Sequence, residues 1–369
     1  MANASSILTQ PTIKKNGSSP KRHSICDSLI RYAEFLDYGD LSIKIDKKTG
    51  LKAIIAVNNL KLGPAIGGCR MVPYASMDQA LEDAIRLGYM MSYKAAINNL
   101  PHGGAKSVII KPKVIKDKDA FFEKFGEFVD ELGGRYITAV DSGTSPLEMD
   151  IIARKTRFVT CTSDSIGGSD PSPFTALGVR RAIEAAVKFK LNRDSLDGIR
   201  IAIQGAGHVG YYLARELTAL GARITMTDIN RVALQRCVDE LGVETTEPGH
   251  IYDIEADVFA PCALGATINK ATIQRLKCQI VAGCANNQLA HQHYASLLHD
   301  RGILYAPDFL INAGGLIHVA VIYAKGDLAK STQQIENIYH TVYDIFERAK
   351  ARDCSTHQIA IELTRERLK

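Results

Sequence analysis

The sequence predicts two α/β domains: a mixed α/β unit, then a doubly wound parallel sheet of Rossmann type, with a cleft between them. Three observations carry this. At 369 residues the chain is too long for one ordinary core. From Gly198 onward, strand and helix patterns alternate, the signature of a mostly parallel sheet. The run Gly167-Gly168-Ser169-Asp170-Pro171-Ser172-Pro173 reads as a loop dividing the two. The expected divisions are a disordered basic tail over 1–24, a first domain over 25–165 and a dinucleotide-binding domain over 166–334. Helices beyond about 335 are expected to pack back on the first domain.

In the first unit, Leu41 to Asp46 and Leu51 to Val57 are Ile- and Val-rich runs joined by Lys-Lys-Thr-Gly, which predicts a hairpin. Ser76 caps a helix running to about Ser92, with Gln79 completing a box-like pattern. Asp117 to Leu132 reads as a second helix and Tyr136 to Val140 as a buried strand ending at Asp141. In the second unit, Thr175 to Phe189 is helical and Ile199 to Gln204 a strand; helices follow from about His208 and Asn230, with the strand Arg223 to Thr227 between. Ala256 to Phe259, Gln279 to Ala282 and Gly302 to Tyr305 supply later strands. Ser331 to Lys350 and His357 to Lys369 read as long amphipathic helices.

Composition excludes several classes. Four of the five net positive charges come from Lys14, Lys15, Lys21 and Arg22, so the body has no basic surface for nucleic acid. No apolar run approaches the ~18 residues of a membrane helix. The eight cysteines form no CxxC pair, so neither a metal site nor a redox dithiol is expected. With no secretory signal, they indicate a reducing, cytoplasmic location.

Gly205, Gly207 and Gly210 form G-x-G-x-x-G between the run Ile-Ala-Ile and an amphipathic helix. Gly205 makes a tight turn, Gly207 admits a pyrophosphate to the helix N-terminus, and Gly210 lets helix pack on strand. Asp228 closes the next strand, where a carboxylate accepts ribose hydroxyls and repels a 2′-phosphate, favouring NAD over NADP. Its other reading is a cap for the following helix, and Arg231 close by softens the exclusion of NADP.

Lys94 and Lys106 lie twelve positions apart, with Asp141 downstream. Most lysines are solvated surface charges. Lys106, however, sits between a His-Gly-Gly-Ala turn and the apolar run Val108-Ile109-Ile110. A lysine beside a like charge loses its proton near neutral pH and acts as a base. Its partner then grips a carboxylate.

Nine segments in order, among them GPAIGGCRM (63–71), MSYK (91–94), LPHGGAKSVI (100–109), YITAVDSGT (136–144), APCALGATIN (260–269), AGCANNQL (282–289) and APDFLINAGG (306–315), resemble the Glu/Leu/Phe/Val dehydrogenases, most closely leucine dehydrogenase. The resemblance runs from about Leu41 to the C-terminus. It implies a homo-oligomer, dimer or octamer, that interconverts a branched-chain L-amino acid with its 2-oxo acid and ammonia using NAD. It also implies site roles: Lys94 and Asn287 on the substrate carboxylate, Lys106 as catalytic lysine, Asp141 in proton transfer at the amine, and Gly67, Gly68 and Met91 beside the substrate. Asn312 falls near the nicotinamide. Cofactor contacts extend to His208, Val209, Ile229, Cys262, Ala263 and Asn287. The side-chain pocket falls to Ile66, Ala139, Leu316 and Val319, all apolar, with no second cation for a glutamate side chain. Three departures stand out: Ala105 replaces the third glycine before the lysine, Val140 replaces an acid, and Leu316 to Ile322 lacks the family's acids. His318 reads as a helix-surface or interface residue. Phenylalanine, tryptophan or valine as substrate, and a catalytically silent NAD-binding regulator, are the alternatives; retention of Lys94, Lys106 and Asp141 together speaks against the regulator.

Overall fold

The computed structural model describes residues 33, 34, 36, 39–164, 170–263 and 265–369. The expected disorder over 1–24 and part of the 167–173 loop lie outside them.

The first sheet has the order β1-β2-β4-β3-β5. β1 (Asp40–Ile45) and β2 (Lys52–Asn59) form the expected antiparallel hairpin, closed by Asp46, whose carboxylate accepts from the Thr49 amide and hydroxyl at 2.7 Å. β2 pairs antiparallel with β4 (Gly103–Ile110), while β3 (Ala65–Val72) runs parallel to β4 and to β5 (Tyr136–Val140). Helix α1 (Met77–Ile97) starts at Ser76, whose hydroxyl accepts from the Gln79 amide. It runs five residues past the expected Ser92 because Tyr93, Ala95 and Ile97 bury against the second domain. Helix α2 (Lys118–Asp130) is capped by Asp117 and buries Phe121, Phe122 and Phe125 under the sheet.

Two corrections concern strands. β3 was not expected as one, because its paired glycines mask the period. The His-Gly-Gly-Ala stretch is not a turn: Gly103, Gly104 and Ala105 belong to β4. The glycines serve close packing. A Cβ on Gly103 would overlap the Asn59 carbonyl oxygen, and one on Gly104 the Ser92 amide nitrogen of α1.

The second sheet is parallel throughout, in the order β11-β10-β9-β6-β7-β8. β6 (Arg200–Gln204) is the first strand in sequence, with β7 (Arg223–Thr227) and β8 (Glu244–Thr245) on one side; β9 (Val258–Pro261), β10 (Ile280–Val281) and β11 (Leu304–Tyr305) lie on the other. The order reverses between β6 and β9, the switch point where such sheets open a crevice. The predicted helix over 331–350 divides at Asn337 into Leu328–Glu336 and Ile338–Arg352. Asparagine competes for its own backbone, which suits it to a break. The last helix, Thr356–Leu368, returns to α1, where Arg367 donates to the Ala96 and Ile97 carbonyls at 2.9 and 2.7 Å. Among the described residues no helix is long and apolar enough to cross a membrane.

Candidate active site

Backbone contact brings the two lysines together. Because Gly104 has no side chain, α1 rests directly on β4, and Lys94 on the helix and Lys106 on the strand line the same cleft. Gly67 is equally constrained, since its Cβ would overlap the Ala105 carbonyl oxygen. At Gly68 a Cβ would meet the Cβ of Asp141 at 2.8 Å and its Oδ2 at 2.9 Å, so glycine here clears the way for Asp141 to reach Lys106.

Lys106 is 5% exposed and its Nζ forms an ion pair with Asp141 Oδ2. The Asp141 loop is pinned: Thr144 Oγ1 accepts from the Asp141 amide at 3.0 Å and donates to the Cys69 carbonyl at 2.8 Å. The Lys106 amine is lowered to about 7, first by burial and next by the Arg70 guanidinium, with Asp83 pulling back and Lys94 contributing less. The expected like-charge effect of Lys94 is therefore real but secondary. Contact with Asp141 favours the ammonium, which can give up a proton near neutral pH, while the neutral amine can accept one.

Lys94 Nζ donates to Asn286 Oδ1 at 3.1 Å, and Asn286 Oδ1 also accepts from Asn312 Nδ2 at 3.0 Å. Burial lowers the Lys94 ammonium to about 8, and the charge of Asp308 opposes this. Asp308 is 5% exposed, with its carboxylate fixed by the Gln288 and Phe309 amides at 2.9 Å. These groups face a cleft of about 330 Å³ between the domains. One wall is apolar: Ile66 and Ala139 from the first sheet pack with Val319 and Leu316 from the helix Gly314–Tyr323. A third cation, Arg70, also lines the cleft, which the sequence did not suggest; it is paired with Asp83 and Asp141.

The glycine turn sits at the switch point. Gly205 has φ +116° and donates its amide to the Thr227 carbonyl at 2.8 Å. Cys262 and Ala263 follow β9 directly against it, the Ala263 nitrogen lying 2.8 Å from where a Gly205 Cβ would be. A Cβ on Gly210 would overlap the Gly205 carbonyl oxygen. Gly207 opens the helix His208–Ala219 with no side-chain cap, and a Cβ there would meet nothing within 4 Å. Uncapped N–H groups beside open space suit an anionic pyrophosphate. Asp228 Oδ2 accepts from the Ala206 amide at 2.6 Å and Oδ1 from the Asn230 amide at 2.7 Å. The helix cap is Asn230, not Asp228, since the Asn230 side chain accepts from Val232 and Ala233. Ile229 is 87% exposed and His208 projects into solvent, so both are open to a ligand at the turn. These features fit a dinucleotide.

Residues 39–158 match the family described as Glu/Leu/Phe/Val dehydrogenase, dimerisation domain. Residues 167–236 and 225–364 match Glutamate/Leucine/Phenylalanine/Valine dehydrogenase. The chain belongs to the Glu/Leu/Phe/Val dehydrogenase family. It is an amino-acid dehydrogenase, and dehydrogenases of this family need a nicotinamide cofactor. Among its relatives is a leucine dehydrogenase of Thermoactinomyces intermedius, 46% identical over 338 residues, covering 91% of this chain and 92% of that protein. A phenylalanine dehydrogenase of Lysinibacillus sphaericus is 42% identical over 317 residues, covering 84% of this chain and 83% of that protein. The crystal structure of L-tryptophan dehydrogenase from Nostoc punctiforme superposes with a TM-score of 0.79 at 38% identity, covering 92% of this chain and 98% of that one.

Of the family positions assigned from sequence, Ile66, Gly67, Gly68, Met91, Lys94, Lys106, Ala139, Asp141, Val209, Asn287, Asn312, Leu316 and Val319 all line the cleft. Gly205, Gly207, His208, Gly210, Asp228, Ile229, Cys262 and Ala263 gather around the neighbouring turn instead. Sequence reasoning missed Arg70, Asn286 and Asp308. Arg70 stands two residues after the paired glycines and Asn286 next to Asn287, so adjacency to a motif was their only signal. Two departures from the family pattern are absorbed by packing. Ala105 is fully buried in the first core, and Val140 packs in the apolar cluster at the cleft. His318 is not on the surface: it is 3% exposed, stacked on Phe174 at 3.6 Å and hydrogen-bonded to Ser331 at 3.0 Å. Burial lowers its imidazolium to about 4, so it stays neutral.

Proposed function

We propose that this enzyme catalyses NAD-dependent oxidative deamination of a branched-chain L-amino acid to the 2-oxo acid and ammonia, and the reverse amination. One observation carries the reading: a single cleft joins the Lys106–Asp141 pair, Lys94 and an apolar wall of Ile66, Ala139, Leu316 and Val319. In this assignment residues 25–165 hold the substrate and 166–334 the cofactor.

Lys94 and Asn287 bind the α-carboxylate, with Asn286 steering the Lys94 ammonium, while Gly67, Gly68 and Met91 border the substrate. A nicotinamide bound near Asn312 supplies the hydride acceptor. Lys106, as the neutral amine, takes a proton from the water that attacks the imine carbon. Protonated, it polarises the carbinolamine oxygen. Asp141 exchanges a proton with nitrogen on its way from amine to ammonia. General acid–base help of this kind is worth about 10²–10⁴ in rate. The neutral form of Lys106 grows as pH rises through about 7, so kcat/KM for deamination should rise there. Lys94 loses its charge above about 8, which should weaken carboxylate capture from the alkaline side.

The test is NADH formation from a panel of L-amino acids. Leucine, isoleucine and valine should exceed phenylalanine, tryptophan and glutamate, and Leu316→Ala should shift the ratio toward phenylalanine by about tenfold, the worth of pocket-sized changes. Wild-type preference for phenylalanine or tryptophan over every aliphatic substrate would refute the pocket assignment.

Asp228 supports NAD over NADP, because a second negative charge there meets a 2′-phosphate. Asp228→Ser should relax that preference only in part. Arg231 is paired with Glu247 at 2.8 and 3.0 Å and must leave it to meet the phosphate. A wild type that already uses NADP better would overturn this assignment. We read the enzyme as cytoplasmic and as a homo-oligomer, the assembly being supported by exposed Leu41, Ile43 and Ile45 along edge strand β1. A single-chain mass in light scattering would refute the oligomer.

A further inference from the structure

The Lys106–Asp141 pair does not stand alone. Behind it runs a chain of charges from α1. Arg86 Nη2 donates to Asp83 Oδ1 at 2.8 Å, and Asp83 Oδ2 accepts from Tyr74 Oη at 2.7 Å and from Arg70 Nη1 at 2.9 Å. Arg70 then turns its Nε toward Asp141 Oδ1 at 3.5 Å. That nitrogen is buried and makes no hydrogen bond. An unused guanidinium donor so close to a carboxylate is costly unless the two engage at some stage. Arg70 itself lines the cleft.

We propose that Arg70, held in place by Asp83, is a positioning residue for the reaction: it steadies Asp141 between Lys106 and its own Nε, and adds its charge to those facing Lys106. This rests on the reading of Lys106 as the base. When Lys106 gives up its proton, Asp141 loses its cationic partner, and the free Arg70 Nε is the donor within reach to take its place. The groups facing Lys106 come from three directions. Asp141 follows β5; Arg70 and Cys69 lie on β3; Lys94 and Asp83 lie on α1. Cys69 is a neutral thiol, since burial pushes it up to about 12. The two fixed charges behind the pair therefore act with opposite signs: Arg70 favours the neutral amine and Asp83 the ammonium.

That opposition supplies the test. The pH profile of kcat/KM for leucine deamination is measured for wild type, Arg70→Gln, Arg70→Lys and Asp83→Asn, with thermal melts to confirm folding. In Arg70→Gln the limb that rises with pH should move up by about one unit, the size of effect a nearby charge exerts. In Asp83→Asn it should move down. Arg70→Lys should keep the limb near its wild-type position yet lose rate, because an ammonium cannot bridge Asp83 and Asp141 as a planar fork does. Both limbs unmoved, or both displaced the same way, would overturn the role of Arg70; a purely structural residue changes rate without splitting the two directions. Should Arg70→Gln not fold, Arg70→Lys decides: a wild-type rate in that variant would overturn the role of Arg70. Residual activity of Lys106→Ala separates the two levels. If it still shows the wild-type limb, Lys106 is not the titrating group and both readings fall. If that limb vanishes there but stays fixed in the other variants, only the role of Arg70 falls.

Discussion

Lys106→Ala should lower kcat for leucine deamination by about 10²–10⁴, the usual worth of a positioned acid–base group, while leaving NADH binding unchanged. The lysine lies on β4 of the first domain, whereas the glycine turn, Asp228 and Cys262 belong to the second. Removing it also leaves Asp141 without its nearest cation, so Asp141 should turn to Arg70 and be lost to the nitrogen it is proposed to serve. Stopped-flow turnover beside NADH fluorescence titration checks both halves. Near-normal kcat would sink the mechanism, and loss of NADH binding would show that the lysine supports the cleft as a whole.

Gly104→Ala should be nearly as damaging for a different reason. An added methyl collides with backbone, the Ser92 amide and the Met91 carbonyl carbon, not with a side chain that can swing away. Overpacking of this sort costs on the order of 3 kcal/mol. The helix must lift from the strand, and Lys94 moves with it while Lys106 does not. A shift of about 1 Å at a reacting centre can cost ~10² in rate. Denaturant midpoint and kcat/KM should therefore fall together. Gly249→Ala, where an added Cβ meets nothing within 4 Å, should change neither. A Gly104→Ala enzyme of wild-type stability would show that the helix–strand contact is looser than it looks.

The elements that could be read from sequence are those whose signal is local. Ser76 and Asp117 each cap a helix through their own side chains, so the starts of α1 and α2 were legible. β5 was found at its observed bounds because Tyr136 to Val140 is a short apolar run closed by a polar residue. The Rossmann half was legible because each strand–helix repeat carries its own period. β3 and the start of β4 were not, because Gly67, Gly68, Gly103 and Gly104 erase any hydrophobic alternation. What those glycines answer to is a neighbouring strand, helix or side chain distant in sequence. The break at Asn337 was hidden inside a continuous amphipathic pattern.

For the site, residue types at motif positions were enough to nominate Lys94, Lys106 and Asp141, because chemistry restricts which side chains can bind a carboxylate or shuttle a proton. By itself the sequence determined the α/β class, the dinucleotide turn with its acidic strand end, and the family to which the chain belongs. Only the tertiary structure decided why Lys106 sheds its proton. Burial and Arg70 outweigh the neighbouring lysine that sequence spacing suggested. It also decided that His318 is a core residue, that Arg231 is engaged with Glu247, and that Arg70 and Asp83 stand behind the pair. The physical reason is common to all of these. Desolvation and Coulomb interaction depend on distance and surroundings in space, and Arg70 and Asp83, 36 and 23 positions from Lys106 along the chain, come into its reach only when β3, β4 and α1 pack together.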